Sequence, residues 1–270
     1  MKSLLSLLSE DPLSVVLAKA EAQVKAAPID ADKRAHWVQL LILQGEWERA
    51  QTQLNAWETL TPASRPIIQQ LLASVDAERH REKVFCAETM PYFLTEPQTW
   101  LSTLAKALQA CASNAYEERT LAYSLADESE GTLLEDGTDN QPHHFAWLAD
   151  ADSRLGPVCE LLIDNHYYWV PFNEIASITF QKPMNIVHLV WRHALIKLRS
   201  GLQKVCQIPA RYPITSESSD SHRLCHRTDW FPLDDSQEHY SGQGQKSWLT
   251  DGSEYPLLTL HQVNFTQDEN

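Results

Sequence analysis

The sequence predicts an α+β protein: an N-terminal helical domain resembling tetratricopeptide repeats over residues 1–130, then a β-rich α+β domain over 131–270. Three observations carry that reading. Of the eight glycines only Gly45 lies before residue 130. Apolar residues recur at helical spacing in the first part, whereas the second alternates them or gathers them in short β-branched runs. Between the two, residues 130–142 (EGTLLEDGTDNQP) are polar and turn-rich, which marks the boundary.

The helices follow in order. Pro28 and Pro62 stand 34 residues apart, the period of a tetratricopeptide repeat. Within GEWERAQTQLNAWETLTP, Gly45 ends one helix, the small Ala50 and Leu54 pack the next, and Pro62 stops it. From Ser64 onward, Ile67, Ile68, Leu71, Leu72 and Val75 trace one helical face. Thr95 with Gln98 reads as a capping box with Pro97 in the first turn, for a helix carrying Trp100, Leu104, Leu108 and Cys111 on one side. Asn114 with Glu117 signals another helix start. Stacked helical repeats form curved surfaces whose grooves accept helices or extended peptides, so Trp37, Trp47 and Trp57 are core residues or groove liners.

In the second part, VCELLI, Asp164-Asn165 and HYYWV read as a tight hairpin. IASITF (175–180) is a strand, and NIVHLVW (185–191) a short helix or turn. HALIKL (193–198) places Ala194, Ile196 and Leu198 on one face and turns at Ser200-Gly201 into LQKVCQI. KSWLT, Asp251-Gly252 and YPLLTLHQVNF form a final pair, and the Ser-, Asp- and Gln-rich stretch 214–245 reads as a surface loop.

Apolar content of 43% is that of a globular chain, and a formal charge of −14 disfavours nucleic acid and anionic membrane as direct ligands while suiting a partner with a basic segment. The N-terminus has no cleavage-site pattern, and no stretch reaches the roughly 20 apolar residues of a membrane helix, so a cytoplasmic location without membrane insertion is expected. The five cysteines, Cys86, Cys111, Cys159, Cys206 and Cys225, contain no CxxC and read as thiols of a reducing compartment.

The chemical candidates centre on DADSRLGP, Asp150 to Pro157. A calcium loop starting at Asp150 would place Arg154, Leu155 and Leu161 where an oxygen ligand, Gly and Glu are needed, so that reading fails. On a strand Asp150, Asp152 and Arg154 share a face, and the guanidinium forks onto a carboxylate as a structural corner. The alternative is a metal-dependent hydrolase or small-ligand domain using Asp150, Asp152 and a histidine of the C-terminal half. His143 and His144 are adjacent and point to opposite strand faces, which chelates poorly. His222, Cys225 and His226 lack an evident fourth zinc ligand. Tyr167 and Trp169 share a strand face opposite Tyr168, as core packing with one exposed ring. No GxSxG, phosphate-loop or dinucleotide fingerprint occurs, and no cofactor is called for.

Taken together, WLADADSRLGPVCE (147–160), YYWVPF (167–172), HLVW (188–191) and IPARYP (208–213), with LLILQGEWERAQTQL (40–54) and AERHREKVF (77–85), resemble the ImpE family, also called SciE or TagJ. The resemblance covers almost the whole chain, and the order of the runs is its specific feature. It marks Trp147, Asp150, Asp152, Arg154, Trp169, Pro171, Trp191, Arg211 and Tyr212 as structural or interaction candidates. Where the family usually carries an Asp before the LxW element, this chain has His188. The resemblance implies a non-enzymatic accessory protein of bacterial type VI secretion. Such a protein binds the N-terminal region of the small contractile-sheath subunit (TssB/VipA type) and assists sheath handling by the AAA+ unfoldase ClpV. It implies no catalytic residues, metal or cofactor.

Overall fold

A computed structural model describes residues 7–110, 112–137 and 141–266. Among them, the first part is built of helices α1 (Leu13–Ala26), α2 (Ala31–Gln44), α3 (Trp47–Leu60), α4 (Arg65–Phe85), α5 (Thr99–Ala107) and α6 (Ala112–Leu125). Consecutive members of α1–α4 pack against one another, as do α5 and α6. Gly45 ends α2 in the left-handed conformation at φ 83°, and its N–H returns to the carbonyls of Leu41 and Ile42. Ala50 and Leu54 are fully buried, and Pro62 opens a 3₁₀ turn at Pro62–Ser64.

The helical reading needs three local corrections. On α4, Ile68 and Val75 are buried but Ile67 is 53% exposed, because it lies one residue round from the sheet-facing stripe. Thr95 caps nothing: α5 starts at Thr99 after Gln98, and the Thr95 hydroxyl reaches Glu174 instead, 3.3 Å away. The extended backbone that Pro97 imposes on its predecessor takes Thr95 out of cap position. Asn114 falls inside α6 and does not start it. Cys111, expected on the α5 face, lies outside the described residues.

The second part contributes β1 (Gly131–Glu135), β2 (His143–Phe145), β3 (Leu148–Asp150), β4 (Val158–Ile163), β5 (His166–Pro171), β6 (Ile175–Phe180), β7 (Trp191–Leu198) and β8 (Gln203–Pro209). After a short helix α7 (Asp220–Arg223) come β9 (Thr228–Pro232), β10 (Tyr240–Gly244), β11 (Ser247–Thr250), β12 (Glu254–Pro256) and β13 (Leu260–Phe265). Eight strands pair antiparallel in the order β2-β1-β13-β6-β7-β8-β4-β5, while β12-β11-β3 form a second sheet and β10-β9 a hairpin. The β4–β5 turn has φ 51° at Asp164 and 48° at Asn165, the type I′ geometry that suits the right-handed twist of two strands. Tyr92 closes the outer edge of β5: its N–H donates to Tyr167 O and its carbonyl accepts from Trp169 N–H, both at 3.0 Å.

The stretch 214–245 is not a surface loop. It holds α7 and the β9–β10 hairpin, with His222, Leu224, Cys225 and Gly242 buried. A capping box between Ser219 and His222 starts α7, and the bare Gly242 lets the Tyr212 ring lie where a Cβ would stand 2.3 Å from it. Polar composition hid these strands, which owe their order to ring packing and backbone bonds.

The large sheet has two unlike faces. Cys159, Leu161, Val170, Ile178, Ile196 and Val263 pack with Trp248 and Leu148 of the small sheet as one core. On the other face Leu162, Tyr167, Trp169 and Trp191 join a core running from Leu13 of α1 through α2–α5. Helix α4 lies against β4 and β5, and α2 against the 3₁₀ turn Ile186–Leu189. The chain's own C-terminal part therefore packs against the inner side of the helical array.

Candidate functional site

The runs that carry the family resemblance meet at this seam, around a buried set of charges. Helix α4 turns Glu78 and Arg81, one turn apart, toward the sheet, and β4 presents Glu160 from the middle of an otherwise apolar strand. Arg81 forks onto Glu160 with Nε 2.6 Å from Oε1 and a terminal nitrogen 3.1 Å from Oε2. It also donates to Glu78 at 2.7 Å and to the Arg211 carbonyl at 3.1 Å. Lys246 bridges two carboxylates, 2.5 Å from Glu160 and 2.6 Å from Asp150. Tyr167 donates to Glu160 and accepts from the Trp169 indole, both at 2.6 Å. The Trp191 indole donates to Glu78 at 2.8 Å.

The acidic run itself leaves β3 at Asp150, so only that aspartate lies on a strand and the shared strand face of Asp150, Asp152 and Arg154 is not formed. Asp152 and Arg154 sit in the following turn, where Arg154 Nε is 2.9 Å from Asp152 Oδ1 and a terminal nitrogen 2.6 Å from Oδ2. Gly242 N–H adds a bond to Asp152 Oδ2 at 3.0 Å. Asp150 accepts from Lys246 on one oxygen, and from the Tyr212 hydroxyl and Asp152 N–H on the other. Both carboxylates are buried and each of their four oxygens has a donor. Arg211 is spent on main chain, donating to Leu43 O at 2.7 Å, Arg223 O at 2.8 Å and Ile42 O at 3.3 Å, which caps the end of α2.

Four anions (Glu78, Asp150, Asp152, Glu160) and four cations (Arg81, Arg154, Arg211, Lys246) thus share one seam, buried except at the half-buried Arg154. Burial and the opposite charges compete for these groups, and the outcome differs from one to the next. It pushes the Asp150 carboxyl up to about 6 against the pull of Lys246. Burial would also raise Glu160, but Arg81 and Lys246 together bring it down to about 2. Burial opposes charge on Lys246 too, yet Asp150 and Glu160 hold its proton more firmly than usual. Arg211, with carbonyls in place of a carboxylate, is lowered by burial to about 10.

The remaining candidates divide by exposure. Trp169, Pro171, Trp191 and Tyr212 are buried, Arg154 is half-buried over the Phe85 ring, and Trp147 stands half-exposed on a surface pocket. Trp37 and Trp47 are buried and Trp57 half-buried; Trp47 donates to Glu82 at 2.5 Å and lines an open groove at the α3–α4 edge. His143 and His144 are exposed on β2. His222 turns one nitrogen to the Ser219 cap and the other to Asp229 at 2.9 Å, while Cys225 faces the carbonyls of Leu189 and Ala210, so the three soft ligands do not converge. His188, where the resemblance leads one to expect an Asp, accepts from Met184 N–H through Nδ1 at 3.1 Å. Burial lowers that imidazole to about 4 and keeps it neutral.

Sequence reasoning missed Glu78, Arg81, Glu160 and Lys246. Two signals were available: a glutamate inside the apolar run VCELLI, and a Glu–Arg pair at i, i+3.

The comparisons agree with this architecture. Residues 142–264 match the family model described as ImpE protein. The chain is 34% identical to the type VI secretion system accessory component TagJ of Pseudomonas aeruginosa, over 96% of this chain and 89% of that protein. The crystal structure of protein VPA1032 from Vibrio parahaemolyticus superimposes with a TM-score of 0.84 at 27% identity, covering 97% of each chain.

Proposed function

The chain belongs to the ImpE family, and from that premise we propose that it is a non-enzymatic accessory component of a type VI secretion system. In this reading it is a cytoplasmic adaptor. It holds the N-terminal region of the small contractile-sheath subunit (TssB/VipA type) and assists the handling of that subunit by the ClpV unfoldase. We treat residues 1–130 and 131–270 as two domains in sequence that work as one body.

One observation supports a binding role over chemistry. Asp150 and Asp152, the residues a hydrolase in the C-terminal half would use, have every oxygen engaged by protein donors inside a charge-balanced seam. A catalytic carboxylate needs reach to a substrate or a metal. These two reach only the chain's own lysine, arginine, tyrosine and backbone. No described helix is long and apolar enough to cross a membrane.

Co-purification tests the proposal. The intact small sheath subunit is expected to be retained by the immobilised protein, and the same subunit without its N-terminal region to be lost. Equal retention of both, or of neither, contradicts the adaptor.

A further inference from the structure

Where a partner is held is a separate question, because the inner side of the helical array packs against the C-terminal part. On the outside, two cavities meet at the end of α4. One, of about 570 Å³, lies between the start of α3 and the last turns of α4, with Trp47, Glu82 and Cys86 in its lining. The other, of about 310 Å³, lies between the end of α4 and the β9–β10 hairpin. Its lining has Phe85, Arg154, Ile214 and Phe231, and again Glu82 and Cys86. Two residues are thus common to both cavities. Ile214 of the second also lies against Gly45 of the first, where a Cβ would stand 2.1 Å from it. The two cavities form one groove, which crosses from the helical part onto the C-terminal part.

The seam holds this groove in shape from beneath. The Trp47 ring stacks on Trp191 with centroids 5.9 Å apart, and the Arg154 guanidinium lies 4.6 Å from the centre of the Phe85 ring while it forks onto Asp152. Apolar surface stands at both ends: Trp47 at one, and Phe85, Ile214 and the 48% exposed Phe231 at the other. Between them is Glu82, half-buried. Its carboxylate accepts from the Trp47 indole and has no cation in ion-pair contact among the described residues. The arginines of the groove are engaged elsewhere, Arg49 with Glu46 and Glu21, Arg79 with Glu48, and Arg154 with Asp152. On the rim Lys83 and Glu88 are exposed, one of each sign. Burial raises the Glu82 carboxyl above the ordinary glutamate value, against the pull of the indole bond. That is the cost of a half-buried carboxylate without a counter-charge, and a cation brought by a ligand relieves it.

A groove with aromatic rings at each end and one uncompensated carboxylate between them selects its ligand by charge and by shape. We propose that it docks a segment of a partner protein in which a lysine or arginine is flanked by apolar side chains. The basic head meets Glu82, one apolar side chain packs beside Trp47, and another packs between Ile214 and Phe231. Both parts of the chain build this groove, so neither part alone supplies it. The site rests on the adaptor reading and locates it.

The test titrates the labelled full-length small sheath subunit into the wild type, Glu82→Gln and Phe231→Ser. Glutamine keeps an acceptor for the Trp47 indole, Phe231 stands half in solvent, and an unchanged melting temperature verifies that the variants fold. Cys86 gives a second readout that needs no variant. It is exposed in the groove whereas Cys159, Cys206 and Cys225 are buried, so its alkylation by N-ethylmaleimide, read at Cys86 by peptide mass spectrometry, reports whether the groove is covered. The expected result is a loss of about tenfold or more in affinity for each variant, wild-type binding that weakens as salt rises, and alkylation of Cys86 that slows severalfold with the subunit bound. Wild-type affinity in both variants, or Cys86 reacting equally fast with and without the bound subunit, overturns this docking groove and leaves the adaptor standing. Loss in Phe231→Ser alone overturns the basic residue of the partner segment, and loss in Glu82→Gln alone overturns its apolar anchor at Phe231. No binding by the wild type itself overturns the adaptor and this site with it.

Discussion

Asp150 decides how the seam responds to acid. Unfolded, its carboxyl gives up a proton near the ordinary value of about 3.9; buried, it holds the proton to about 6. Between those values the folded chain carries the additional proton, so this group's contribution to stability is present at low pH and is lost as pH rises through 6. The loss is on the order of 3 kcal/mol. Glu160 acts the other way. Its contribution is complete above the ordinary glutamate value and fades as pH falls toward about 2. Asp150→Asn has no proton to lose. Urea unfolding of wild type and variant is therefore expected to give a stability difference that shifts against the wild type by on the order of 3 kcal/mol from about pH 4 to about pH 7. A difference flat across that range contradicts the buried-carboxyl account. The residues of this seam were half legible in the sequence. The Asp152–Arg154 contact is local, two residues apart, and spacing carries it. Lys246 joins Asp150 from 96 residues away, a link that no window of sequence contains.

At the scale of elements, the strongest local signals gave the surest readings. Asp164-Asn165 between two apolar runs makes the I′ hairpin because both residues tolerate positive φ. Gly45 ends α2 because the left-handed turn there suits a residue with no Cβ. Tertiary packing adds a second constraint on that glycine, since a Cβ would stand 2.1 Å from the Ile214 side chain. Gly45→Ala is expected to cost about 1–3 kcal/mol, read as a lowered midpoint in chemical denaturation. Coupling through Ile214 means that Gly45→Ala with Ile214→Ala recovers part of that loss, whereas purely additive effects would contradict the contact. The β9–β10 hairpin was illegible for the opposite reason. Its strands carry few apolar residues, and its order comes from Tyr212 lying against Gly242 and from Asp152 accepting the Gly242 N–H.

For the whole molecule, composition sets a boundary near residue 130, between α6 and β1, but it could not reveal how completely the two parts depend on each other. Arg81 on α4 is bonded to Glu160 on β4, Arg211 caps α2, and Trp191 reaches Glu78. A helical fragment of residues 1–130 would expose Arg81 and Glu78 without Glu160, Trp191 or Lys246, together with the apolar residues that pack on Tyr167 and Trp169. Breaking such a buried pair costs about 3–5 kcal/mol, a large share of a domain's stability. The intact chain is expected to unfold in one cooperative transition by both tryptophan fluorescence and far-ultraviolet circular dichroism. The fragment is expected to lack a cooperative melt. Two separate transitions in the whole protein, or a cooperatively folded fragment, would contradict a single interlocked body.

The adaptor reading places the work on the outside of the molecule, as a fixed surface offered to another polypeptide. Calorimetric titration of the purified protein with a peptide spanning the N-terminal region of the small sheath subunit, in buffer containing a metal chelator, addresses this most directly. Saturable one-to-one binding is expected, weakening with added salt and carrying a negative heat-capacity change from apolar burial. Absence of binding, or binding that appears only when a divalent metal replaces the chelator, would contradict it.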